Sequence, residues 1–233
     1  MKYDVLIPAY NAESTIKELL DKIGKLDKIP DKIIVIDDGS EDNTAGIASE
    51  MNATVIKIDK NCGKGLALKK GFHYFISNSD CDYLLCIDAD LQHPVSSIPK
   101  FLQYAKKNKS QLLIGNRRKS FRIMPAHRIF SNIVTSFIIS ILIKQKIKDS
   151  QCGFRMIHRD LLKKLNMSKN DFLIESEMIF EAAGNNIDIH FIDIPTIYSY
   201  EQSHINNIDV SIKFIVLIFK EVKKIIFNKL FLK

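Results

Sequence analysis

Five short apolar runs, each broken off by a polar cluster, most constrain what this chain can fold into. Asp4-Val5-Leu6-Ile7 reads as a strand stopped by Pro8, with Ala9-Tyr10-Asn11 following as a loop. Lys32 to Ile36 is a second buried strand running into Asp37-Asp38-Gly39-Ser40. The third, Ala53 to Ile58, leads into Asn61-Cys62-Gly63-Lys64-Gly65. A fourth, Tyr83 to Ile87, ends in Asp88-Ala89-Asp90-Leu91-Gln92-His93, and a fifth, Gln111 to Ile114, ends in Gly115-Asn116-Arg117-Arg118. Helical patterns lie between them: Ile16, Leu19, Leu20 and Ile23 recur after Ser14, Asn43-Thr44 starts another helix, and a third runs through Phe75. This alternation predicts βαβ units, hence an α/β fold with a mostly parallel central sheet covered by helices. In such sheets ligands bind beyond the carboxyl ends of the strands, where all five polar clusters fall.

The acid pair Asp88 and Asp90 carries the most chemistry. Two carboxylates so close raise each other's pKa unless a cation lies between them. They project to the same side of a strand only if the backbone stays extended through Ala89. A hard divalent ion with oxygen ligands, Mg²⁺ or Mn²⁺, suits the pair, and such ions commonly also hold substrate phosphates. The same D-x-D spacing also fits a plain polar turn after a strand. Gly63 and Gly65 permit positive φ and close backbone approach.

Taken in order, IPAYNAEST (7–15), VIDDGSEDNT (35–44), NCGKGLALKKG (61–71), CIDADLQHP (86–94), GNRR (115–118), DSQCGFR (149–155), IESE (174–177) and PTIYSYEQSHIN (195–206) resemble an inverting family 2 glycosyltransferase of the GT-A fold. The likeness is greatest to the dolichol-phosphate mannose and polyprenyl-phosphate sugar synthases. It covers about residues 3–206 and implies a catalytic domain over 1–206, followed over 207–233 by an amphipathic basic helix at the membrane surface. It implies that Pro8, Tyr10, Glu13, Asp37, Asp38, Gly63, Lys64, Asp88 and Ala89 meet the nucleotide-sugar. Asp88, Asp90 and Gln92 would hold the metal, although a Gln in such a turn also suits a backbone hydrogen bond. Arg117, Arg128, Ser131 and Arg155 would hold an acceptor phosphate, with bracing of the loop the alternative for Arg155. Asp149 is the candidate base if one is used, followed by Glu175 and Glu177. Those two glutamates, read as strand-alternate, equally suit sugar hydroxyls or the cap of a 178–184 helix. The implied reaction moves a hexose from a UDP- or GDP-sugar to polyprenyl or dolichyl phosphate at the cytoplasmic membrane face. The alternative is a glycan or other hydroxyl acceptor in cell-surface polysaccharide or glycoprotein synthesis. Implied partners are the nucleotide-sugar, polyprenyl phosphate, a membrane surface and a membrane-embedded protein.

Charge distribution bears on the acceptor. Residues 100–164 hold 16 basic and 2 acidic side chains, whereas 1–99 hold 11 and 16 and 165–233 hold 7 and 9. The net charge of +7 therefore comes from the middle of the chain. Arg117, Arg118, Lys119, Arg122, Arg128 and Arg155 gather there, and Arg forks suit phosphate oxygens. No nucleic-acid motif accompanies them, so nucleic acid is not an expected partner. The uncharged run 129–143 is too short to span a bilayer and suits either a core helix or one lying in the membrane interface. The chain enters a strand within a few residues, so no signal peptide is expected and the chain should stay in the cytosol. Its four cysteines lack zinc spacing and read as free thiols.

Overall fold

The computed structural model describes residues 1–117, 126–197 and 213–223. Arg118, Lys119 and Arg122, residues 198–206 of the last family segment, and both ends of the expected 207–233 helix lie outside them. In chain order the elements are β1 (Tyr3–Ala9), α1 (Glu13–Gly24), β2 (Ile33–Asp37), α2 (Thr44–Glu50), β3 (Thr54–Lys57), α3 (Lys64–Asn78), β4 (Tyr83–Cys86) and α4 (Ile98–Asn108). There follow β5 (Leu112–Arg117), α5 (Ala126–Ile143), β6 (Arg155–His158), α6 (Arg159–Leu162), α7 (Ile174–Gly184), β7 (Ile189–Ile194) and a helix α8 over 213–223. The strands form one sheet in the order β3-β2-β1-β4-β6-β5-β7. All neighbouring pairs are parallel except those of β6, which runs antiparallel to both β4 and β5.

The α/β architecture is the expected one. The α1 stripe of Ile16, Leu19, Leu20 and Ile23 is buried as its periodicity requires. Three features differ. Strand β1 continues through Pro8 to Ala9. The Leu6 carbonyl accepts from Ile87 on the β4 side, while the Ala9 carbonyl accepts from Asp38 on the β2 side. Alternation therefore aims the missing donor of Pro8 toward β4, whose register with β1 ends at Leu6 and Cys86. The proline thus breaks no ladder bond. The second difference is β6, a four-residue strand inserted between β4 and β5, and the third is β7, paired along β5. Neither has an alternating pattern long enough to read from sequence.

Helix α5 is turned inside out. Its inward face carries Asn132, Thr135, Ser136 and Ser140, with Ile129 and Ile139 the buried apolar exceptions. The Ser136 hydroxyl donates to Asn132 Oδ1 (3.0 Å) and accepts from the Ser150 N–H (3.0 Å), and Ser140 Oγ accepts from the Ile147 N–H (2.9 Å). Its outward face bears Phe130, Ile133, Val134, Phe137 and Ile141, with Phe130 70% and Phe137 64% exposed. Of the two sequence readings of this run, a core helix does not describe it. In α8, Phe214 and Leu217 are buried while Ile215, Val216 and Phe219 face outward.

Arg155 is 1% exposed. Its guanidinium donates to the carbonyls of Cys152 (2.8 Å), Glu175 (2.6 Å) and Ser150 (3.0 Å). Arg155→Met leaves the loop carbonyls of Ser150 and Cys152 without this donor, unties them from Glu175, and should cost roughly 3 kcal/mol or more. Urea denaturation followed by circular dichroism would measure it, and a loss below about 1 kcal/mol would contradict the bracing role.

Candidate active site

The first residues expected to meet a nucleotide-sugar lie where β1 and β2 end. A cleft of about 430 Å³ is lined by Tyr10, Asp37, Ser40, Lys57 and Asn61, among others. Tyr10 is 44% exposed there, and Asp37 accepts from the Ser40 N–H at 3.0 Å. Asp38 behaves otherwise than expected: both its oxygens are taken by backbone, from Cys62 N–H (3.0 Å) and Gly63 N–H (2.8 Å). It ties the loop before α3 to the end of β2 rather than facing a nucleoside. Gly63 makes that loop possible with φ of +96°, a conformation L side chains seldom adopt. Glu13 Oε2 accepts from the Asn43 N–H, joining the starts of α1 and α2 beside Tyr10.

Beyond β4 the backbone does not remain extended. Ala89 and Asp90 form a turn, and Leu91 takes φ of +60°. Asp88 Oδ1 meets Lys64 Nζ at 2.7 Å, and the same ammonium meets Glu175 Oε1 at 2.8 Å. Asp88 Oδ2 lies 3.2 Å from His93 Nε2, whose ring stacks on Phe154. Burial alone would raise the Asp88 pKa, yet Lys64 and His93 hold it far below the carboxylate range. Asp90 goes the other way: burial and the neighbouring Asp88 charge push it up, against the charges of His93 and Lys64 and a backbone bond from Gln92 N–H (3.0 Å). A raised carboxylate beside an ionised one is a site short of positive charge. Asp88 and Asp90 are hard oxygen donors suited to Mg²⁺ or Mn²⁺. No group of three His, Cys, Asp or Glu placed to hold a metal occurs among the described residues, so oxygens from a bound donor would have to complete a shell.

Gly153 closes this centre. A Cβ there would come within 2.6 Å of Asp88 and 2.8 Å of Lys64 Nζ. Sequence reasoning missed the Lys64–Glu175 pairing and the His93 contact. One signal was present: Lys64 opens α3, and a cation at a helix N-terminus is unfavourable without an anionic partner.

Among the residues expected at an acceptor, Arg117 at the end of β5 grips Asp149 through Nε to Oδ2 (2.8 Å) and an Nη2 bond to Oδ1 (3.0 Å). Asn132 of α5 and the Gln151 N–H also donate to Asp149 Oδ1 (2.6 and 3.1 Å). Burial would raise the Asp149 pKa, but Arg117 and Asn132 hold it below the ordinary range. This corrects the expectation of a general base: a fully buried, ion-paired carboxylate with a lowered pKa is a poor proton acceptor. Arg155, expected at the acceptor phosphate, is instead the loop brace described above. Arg128 is half-buried and Ser131 exposed on the first turns of α5, with Gln151 Nε2 3.4 Å from Ser131 Oγ. Glu175 and Glu177 lie in the first turn of α7, not on a strand. Glu177 accepts from the Ser168 N–H (3.0 Å), Lys169 N–H (2.8 Å) and Ser168 hydroxyl (2.6 Å), so it holds a loop and does not reach the site.

Residues 4–166 match the family described as glycosyl transferase family 2. The chain belongs to that family. As a family 2 glycosyltransferase it is 30% identical over 236 residues to the UDP-N-acetylglucosamine–dolichyl-phosphate N-acetylglucosaminyltransferase of Methanococcus voltae, covering 90% of this chain and 91% of the relative. It is 29% identical to the dolichol-phosphate mannosyltransferase of Pyrococcus furiosus, over 80% of this chain and 54% of that one. Among solved structures, glucosyl-3-phosphoglycerate synthase from Mycobacterium tuberculosis, in complex with Mn²⁺, UDP-glucose and phosphoglyceric acid, superposes with a TM-score of 0.75 at 20% identity. The match covers 94% of this chain and 79% of that one, and establishes the GT-A fold. The comparisons lend no support to the expected membrane-embedded partner protein.

The Arg117–Asp149 pair gives the glycosyltransferase a defined response to acid. The Asp149 pKa is lowered from 3.8, so the stability it contributes is full above that value and is lost as pH falls through the lower folded-state value. Asp149→Asn should cost about 3 kcal/mol at neutral pH. The gap from the unsubstituted protein should narrow as the solution is taken below about pH 4, read from urea midpoints. A gap constant down to the lowest pH at which the protein folds would contradict the assignment.

Proposed function

We propose that this glycosyltransferase moves a sugar from a UDP- or GDP-linked donor to a polyprenyl phosphate at a membrane surface, inverting the anomeric carbon. The observation that carries this reading is the state of Asp149. With that carboxylate held by Arg117 and Asn132, Asp149 does not supply the base a hydroxyl acceptor would need, and the guanidinium nitrogens it leaves free are suited to an anion. A phosphate monoester, with its second pKa near about 6, is already an anionic nucleophile at neutral pH. It needs positioning and charge neutralisation, which Arg117, Arg128 and Ser131 are suited to supply.

In this scheme Tyr10 and Asp37 receive the nucleoside, and a phosphate oxygen attacks the anomeric carbon in line as the bond to the nucleoside diphosphate breaks. A divalent ion, held by Asp88 and Asp90 together with the donor's own oxygens, would stabilise the charge on that leaving group. Asp149 fixes the Arg117 fork, and Glu175 holds Lys64 near the diphosphate. The names of the two archaeal relatives, which act on dolichyl or dolichol phosphate, agree with the acceptor class.

The membrane enters through α5. A helix that turns hydroxyls inward and phenylalanines outward is suited to an apolar surrounding, the reverse of a water-facing helix. Exposed Lys144, Lys146 and Lys148 follow its apolar stripe and complement anionic headgroups. No described helix is long and apolar enough to cross a bilayer, so attachment through this segment would be at the surface.

The deciding experiment supplies purified protein, Mg²⁺ or Mn²⁺, UDP- and GDP-sugars and a short polyprenyl phosphate. Formation of a lipid-linked sugar should fall by about 100-fold or more in Asp90→Ala. Turnover only on hydroxyl acceptors would replace the reading with its alternative. Separately, Phe137→Asp/Ile141→Asp should lower flotation with anionic vesicles by roughly tenfold while nucleotide binding persists. Unchanged flotation would exclude α5 as the membrane face.

A further inference from the structure

Lys64 sits in an unusual position for a phosphate-binding lysine. It is the first residue of α3, where the helix dipole disfavours a cation, and its side chain is only 14% exposed. It is held there by Asp88 at 2.7 Å and Glu175 at 2.8 Å, and its ammonium lies 5.9 Å from the centre of the Phe172 ring. The backbone of Gly153 packs so closely that a Cβ would reach both Asp88 and the ammonium. Glu175 is 4% exposed, and its second oxygen, Oε2, is buried with no hydrogen-bond partner. One anchor of Lys64 thus has unused capacity, while the other belongs to the carboxylate pair suited to a divalent ion.

Charge counting leads further. Asp88, Asp90 and Glu175 carry three negative charges when ionised, and Lys64 offsets one. A divalent ion at Asp88 and Asp90 would balance that pair by itself, leaving Lys64 and Glu175 as a second neutral pair. The ammonium and the ion cannot both remain close to Asp88 without strong mutual repulsion at low dielectric. From this juxtaposition we infer that Lys64 is a displaceable internal cation: it occupies Asp88 between turnovers, and when the divalent ion arrives with the donor it yields Asp88 and stays with Glu175 and the diphosphate. Lys64 and Glu175 are then positioning residues for Asp88: Lys64 makes metal alone a weak ligand and metal with nucleotide a strong one, while Glu175 eases the competition by sharing the ammonium. The coupling is reciprocal, because the diphosphate offers the displaced ammonium a new partner.

This inference rests on the donor-site reading above, and the experiment separates the two. Mn²⁺ affinity is measured by electron paramagnetic resonance of the free ion, without nucleotide and with UDP or GDP. Lys64→Met should bind Mn²⁺ alone roughly tenfold more tightly than the unsubstituted protein, with most of the gain conferred by nucleotide lost. Glu175→Gln, which removes the second anchor, should weaken Mn²⁺ alone. In an Asp88→Asn background Lys64→Met should change Mn²⁺ affinity little, since the contested carboxylate is gone. Unchanged or weaker Mn²⁺ binding by Lys64→Met would overturn the inference. So would an equal gain in the Asp88→Asn background, which would mark general repulsion rather than competition for Asp88. Should Lys64→Met fail to fold, the Glu175→Gln result decides alone, and unchanged Mn²⁺ affinity there overturns the inference. If neither UDP nor GDP binds the unsubstituted protein, the functional reading fails, while the nucleotide-free comparison still tests Lys64.

Discussion

Arg155 donates to the carbonyls of Ser150 and Cys152, which belong to a loop, and to that of Glu175 in the first turn of α7. Because the guanidinium is rigid and planar, three bonds fix the loop 149–153 against the first turn of α7. The consequences spread from there. The loop delivers Asp149 to Arg117, and Gly153 to within contact of Asp88 and Lys64. The helix start delivers Glu175 to Lys64. Strand β6, which begins at Arg155, runs antiparallel between β4 and β5 and carries this bracing into the middle of the sheet. This buried cation makes its hydrogen bonds to carbonyls while its charge is felt by Glu175 and Asp149, and its bracing decides which charges meet.

The charges that meet are unequal on the two sides of the site. On the acceptor side Arg117 and Asp149 are matched, and the pair is anchored to α5 through Asn132. Around Asp88 the carboxylates outnumber the described cations: Lys64 and His93 lower the Asp88 pKa, whereas burial and the Asp88 charge raise that of Asp90. A balanced pair holds its place without a ligand, whereas an unbalanced cluster is stabilised by one. The fold thus prepares an arginine fork in advance and leaves the donor side to be completed by what binds there. Helix α5 carries the outward apolar stripe and, through Asn132, reaches Asp149 and so the Arg117 guanidinium at the end of β5.

Much of this could be read in the residues in order. Apolar runs closed by acids or glycine gave β2, β3, β4 and β5, and the 3.6 period gave the buried face of α1, because burial on a regular element imposes its own spacing on the sequence. The Asp88-Ala89-Asp90 pair, the Gly63-Lys64 turn and Arg117 could be singled out because their chemistry is local. Tertiary structure alone decided the partners: that Asp38 binds backbone, that Asp149 is held by an arginine 32 residues before it, that Glu177 holds a loop, and that Lys64 joins Asp88 to Glu175. It also decided the place of β6 and the outward turn of the α5 phenylalanines. A sequence records the spacing that regular elements demand, but a carboxylate looks the same whether it faces solvent, a backbone amide or an ammonium. Only the packing of distant segments determines which of these it meets.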